Sequence, residues 1–134
     1  MEIYETQQNL KKLRNTAQED ARKWYDSYKS DRLSLGEDLQ SVNFIERAYG
    51  EFWRVYKNTP AMPFLMEEVK RLIRTDIEQG DSRFALTILE SLNIVPPEKI
   101  ADLVRTSGLG PDEQEALLQA LKDVNDINKF IGEE

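Results

Sequence analysis

The first 28 residues contain neither proline nor glycine, and their apolar residues return to one face of a helix. Ile3, Leu10, Leu13, Ala17, Ala21, Trp24 and Tyr28 recur mostly at steps of three and four. The spacing predicts a helix from about Glu2 to Tyr28, roughly 40 Å long at 1.5 Å per residue. A stripe this narrow resembles a coiled-coil seam and must be covered by something. Two coverings are open: a second copy of the chain, or a close dock of its own C-terminal half. In a homodimer, Leu10, Leu13, Ala17 and Trp24 form the self-association seam.

K-S-D-R-L then turns the chain, and Ser34-Leu35-Gly36-Glu37 has the spacing of a capping box. A second helix is predicted from Leu35 to about Lys57, with Leu35, Leu39, Val42, Ile45, Tyr49, Phe52 and Tyr56 as its stripe. So short a connection makes an antiparallel αα-hairpin over residues 1–58. It brings Phe44 to the Trp24–Tyr28 cluster, either as large-ring core or as an aromatic groove. Gly50, inside the second helix at a cost of about 1 kcal/mol relative to Ala, suggests a close helix crossing.

Residues 59–134 read differently, as short helices between stop signals. Pro63 opens a helix to about Gln79, and Gly80 stops it. Asp81 caps a helix from Ser82 to Leu92, ended by Asn93. Another runs from about Pro97 to Thr106. Pro111, followed by Asp112 and Glu113, opens the last, to about Asn125, with Ile127, Phe130 and Ile131 extending it or folding back. The expectation is one all-α domain over 1–134. A long N-terminal antiparallel helical hairpin packs with three or four short C-terminal helices as an irregular bundle.

Composition removes several chemistries. The 134 residues include no cysteine and no histidine. Disulfides, thiolate nucleophiles, sulfur-ligated metals and imidazole bases are excluded. The phosphate-binding glycine motifs and the oxygen-rich calcium loop are missing, so no cofactor or metal is predicted. Glu67 and Glu68 are adjacent and do not share a helical face. No apolar run approaches the roughly 20 residues of a membrane span, and M-E-I-Y-E is acidic where a secretory leader would be basic. A cytoplasmic location is the expectation.

The charge is unevenly placed. Residues 1–57 carry 10 acids and 10 bases; residues 58–134 carry 15 acids and 8 bases, the whole net charge of −7. Residues 100–118 have the outline of a helix-turn-helix. Its second helix would lead with Asp112, Glu113 and Glu115, which phosphates repel. Lys11, Arg22 and Lys29 share a face of the first helix, but Glu19, Asp20 and Asp26 dilute it, as on a solvated helix. Nucleic acid is therefore not the expected partner.

The joint between the halves, T-P-A-M-P-F-L-M at 59–66, holds both internal methionines. Met62, Phe64, Leu65 and Met66 exceed what a one-sided helix start needs to bury. Methionine suits both awkward gaps and adaptable docking surfaces. Gap filling between the halves is the simpler reading; docking makes these four residues a protein-binding site. The expected function is non-catalytic: an adaptor or assembly-accessory protein that binds another protein. Two alternatives stand beside it. One is an acidic inhibitor or nucleic-acid mimic filling a basic groove on its target. The other is a carboxylate-based enzyme or oxygen-ligand metal protein.

Overall fold

A computed structural model describes residues 3–38, 41–80, 83–92, 95–106 and 108–132. Among them the chain is all-α, with no strand. The helices are α1 (Ile3–Ser34), α2 (Val42–Tyr56), α3 (Met62–Gly80), α4 (Arg83–Ser91), α5 (Pro97–Arg105), α6 (Pro111–Ala120) and α7 (Val124–Ile131). Leu39, Asp81, Ser82, Asn93 and Ser107 lie outside the described residues, so the expected cap at Asp81 and stop at Asn93 do too. So do the side chains of Ile3 and Val42.

The long first helix exceeds its predicted length because nothing stops it before Gly36. There the backbone turns left-handed, at φ 83°. The amide of Gly36 donates to the carbonyl of Leu33 at 3.0 Å, and that of Glu37 to Arg32 at 3.1 Å. This pair of bonds is the Schellman ending, in which glycine takes the strained position. Ser34-Leu35-Gly36-Glu37 is thus a helix end, not the capping box its spacing suggests. The Ser34 hydroxyl donates backward to the Asp31 carbonyl at 2.6 Å. The Glu37 carboxylate accepts from Arg47 at 2.8 Å. The cap of α2 is Ser41, whose hydroxyl accepts from the Phe44 amide at 3.0 Å. Leu35, assigned to the α2 stripe, is an exposed turn residue.

α1 and α2 run antiparallel, and large rings space them apart. Trp24 meets Phe52 edge to face at 4.8 Å between centroids, and Tyr28 meets Phe44 at 6.1 Å. Trp24 also stacks on Tyr28 at 4.9 Å, and Phe52 meets Tyr56 at a tilt, 4.5 Å between centroids. Phe44, Phe52 and Tyr25 are buried, with Trp24, Tyr28 and Tyr56 packed against them. The rings are therefore core rather than an open groove.

The main neighbour of α1 is α3, which also touches α2, α4, α5 and α7. α3 can hold this central place because Met62, Pro63, Phe64, Leu65, Met66, Glu68, Val69 and Lys70 are all buried. A helix start apolar on nearly every side has to be enclosed. Pro63 sits in its first turn, where a missing N–H costs no helical bond. Polar pairs set the α1–α3 register: Arg22 with Glu68, and Tyr25 and Lys29 with Asp76. Partner numbers rise together along both helices, so α1 and α3 are parallel.

The predicted last helix is two. Its path breaks at Leu121, in extended geometry, and α7 starts afresh. Asp123 caps it, accepting from the Asp126 amide at 3.0 Å, while the Asp126 carboxylate accepts from the Lys122 amide at 2.9 Å. The break lets Val124, Ile127 and Ile131 enter the core against α1 and α3.

Gly50 marks no close crossing. It is exposed on α2, and a Cβ built there meets nothing within 4 Å. Gly50→Ala is expected to stabilise the fold by about 0.5–1 kcal/mol, whereas Gly36→Ala, at positive φ, lowers stability by about 1 kcal/mol. Urea unfolding midpoints of the two variants moving in the same direction would contradict this assignment.

Candidate functional site

The residues singled out at the joint are interior. Met62, Phe64, Leu65 and Met66 are 0–2% exposed. As the first turns of the central helix they fill the space between the halves, so the expected docking surface is not formed there. The expected self-association seam is covered within the chain as well. Leu10 and Ala17 are buried, and Leu13 and Trp24 pack against the core. α3 and α7 do the covering, which is the docking of the C-terminal half that the narrow stripe allowed.

Two charged side chains of α3 are as buried as its apolar ones. Glu68 and Lys70 are each 3% exposed. The Glu68 carboxylate accepts from Arg22 at 2.9 Å and from Arg71 twice at 2.8 Å. Burial pushes its pKa up, but the hydrogen bonds and charges of Arg71 and Arg22 outweigh burial and hold it below the ordinary range. Lys70 reaches Glu90 of α4 at 3.1 Å, and Arg74 joins the same carboxylate. Burial, then the bond to Asp76, raise the Tyr25 phenol well above its usual range, so it remains a donor, 2.6 Å from Asp76. Apart from Arg71, which pairs within α3, these groups tie one helix to another, as Lys29 does through Asp76. They include Arg22 and Lys29 of the basic face on α1, which leaves no continuous phosphate track. Arg14 is also buried, 3.3 Å from the Asn128 side-chain oxygen.

Among the described residues no three acidic side chains gather as a metal-ligand set. Three shallow clefts are lined by described residues, and in none of these do two carboxylates meet. No described helix is long and apolar enough to cross a membrane.

One element is left incompletely used. α6 has no buried residue. It is tethered at its start, where Gln114 donates to the Leu109 carbonyl at 2.6 Å. On one flank Leu118 and Leu121 face Pro97 and Ile100 across a cleft of 360 Å³. On the other, Glu113, Ala116, Leu117 and Ala120 form a stripe at i, i+3, i+4 and i+7. With Leu109 and Phe130 this stripe lines an open, almost wholly apolar groove of 370 Å³. Asp112, Glu113 and Glu115 are exposed on the same helix, which carries no basic residue. The single helix expected from Pro111 to about Asn125 has no such groove. The available signal was Asp123 followed by Asp126, a helix start that shortens α6 and frees its other face.

Comparison with protein-family models, with curated proteins and with solved structures finds no match to this chain.

Two outcomes test these assignments. Phe64→Asp and Met66→Asp each place an unpaired carboxylate in the core. Both should lose the helical circular dichroism of the parent; a folded protein of parent stability would return these residues to the surface. The lowered Glu68 pKa contributes stability that is complete above its ordinary value near pH 4.5 and is lost as pH falls through the folded value. Glu68→Gln should cost about 1–2 kcal/mol at neutral pH, the arginines being half-exposed and screened. The difference from the parent should shrink as pH falls below that ordinary value and the Glu68 carboxylate takes up its proton. A pH-independent difference would refute the charge assignment.

Proposed function

We propose that this chain is a non-catalytic protein-binding module, an adaptor or assembly-accessory protein that docks a partner on the exposed flank of α6. The supporting observation is the Ala116–Leu117–Ala120 stripe. It faces Leu109 and Phe130 across an apolar groove on a helix that buries none of its own residues. An amphipathic helix normally hides its apolar stripe, and this one is only half hidden. The groove has one charged lining group and no converging polar donors that would orient a small ligand. Its shape and chemistry suit side chains of another protein.

The acidic-mimic alternative draws on the net charge of −7 and on exposed Asp112, Glu113 and Glu115. The two readings differ in what holds the partner. A mimic relies on carboxylates and loses its target steeply as salt rises, whereas groove docking keeps a salt-resistant apolar component.

Ala116→Gln and Ala120→Gln obstruct the groove at exposed helical positions. Each should leave stability within about 0.5 kcal/mol of the parent. A partner co-purifying from the source cell with the parent chain should be lost with the double variant and kept with Asn58→Gln, an exposed change at the far end of α2. Equal recovery with all three proteins would exclude the α6 groove as the docking site.

A further inference from the structure

We infer that the occupant of the α6 groove is a short amphipathic helix whose apolar side carries basic residues at one end. This rests on the docking reading above and names the partner's chemistry. The groove runs beside a helix of 10 residues, about 15 Å at 1.5 Å per residue. That length matches about three turns of a guest helix presenting anchors at i, i+3 or i+4, and i+7. Leu109, Ala116, Leu117, Ala120 and Phe130 receive the anchors, and the small alanines let a guest backbone come close.

Charge sets the remaining chemistry. The groove is apolar toward Ala120 and acidic toward Glu113, with Asp112 exposed on the flank of the same first turn. Residues 106–134 hold 7 acids against 2 bases, Lys122 and Lys129. A guest with Lys or Arg near Glu113 and apolar anchors near Ala120 is complementary along the whole groove. A second copy of this chain, docking by the same face, would bring the same carboxylates and no basic residue of α6 to meet them. An anionic lipid surface is repelled by the same carboxylates.

The test uses the full chain, labelled with ¹⁵N, and three synthetic fluorescein-tagged helical peptides with one leucine–phenylalanine stripe. One peptide carries lysines, one glutamines and one glutamates at the remaining positions. The expected result is that the lysine peptide binds about tenfold or more tighter than the glutamine peptide. Its resonance shifts should cluster at Leu109, Glu113, Ala116, Leu117, Ala120 and Phe130. Glu113→Lys should weaken the lysine peptide roughly fivefold, on the scale of an exposed ion pair reversed. The Ala116→Gln/Ala120→Gln double variant should remove binding of the lysine peptide.

Equal binding of the lysine and glutamine peptides at the groove would overturn the basic partner while leaving the docking reading intact. Lysine-peptide shifts spread over Glu19, Asp20 and Asp31 as much as over α6 would overturn it as non-specific attraction. If no peptide moves the groove resonances, the docking reading falls as well. Groove shifts produced by phosphatidylcholine vesicles, or concentration-dependent dimerisation abolished by the double variant, would replace the peptide with a membrane or a second copy.

Discussion

The structure depends on the enclosure of α3. Its first half is apolar on nearly every side, so it is stable only when other helices surround it. Glu68 and Lys70 are buried in the same stretch and must be paired there, because an uncompensated buried charge is far costlier than an unmade apolar contact. Two residues apart on a helix is a rotation of about 200°, so the two side chains leave α3 on opposite sides. Glu68 reaches α1 through Arg22, and Lys70 reaches α4 through Glu90. The two pairs therefore set where the neighbours sit along the central helix, a register that non-directional apolar burial would leave loose.

The consequences run outward from that helix. α1 lies parallel to α3 and carries the rings that hold α2 at a distance. α7 closes over the N-terminal half of α1, where Gln7 donates to the Phe130 carbonyl at 2.7 Å. With α2, α4, α5 and α7 placed on this scaffold, α6 adds only the half-buried Leu117 and Leu118 to the edge of the core. That helix is held by its leading loop and one flank, and its other flank stays open beside Phe130. The same part of the chain carries the densest run of acids. An apolar groove and an acidic rim thus coincide on the element that contributes least to the core, which is the physical basis of the functional reading.

The helical class was legible because the spacing of apolar residues is a local property. So were the helix starts at Pro97 and Pro111, whereas Gly80, expected to stop the helix before them, is the last residue of α3 itself. Boundaries failed where one short motif served two geometries. Ser34-Leu35-Gly36-Glu37 has capping-box spacing, yet the glycine ends α1, because only left-handed backbone there satisfies the Arg32 and Leu33 carbonyls. The methionine-rich joint could be read either way, since a side chain that suits docking also suits gap filling.

Residues along the chain thus determined that it coils into helices, roughly where each begins, and which chemistries it lacks for want of cysteine and histidine. Tertiary packing alone decided that α3 is central and parallel to α1, that Glu68 and Lys70 are buried in pairs, and that the flank of α6 stays open. The reason is that periodicity states how many apolar faces must be hidden, while only the three-dimensional arrangement states which face runs out of neighbours.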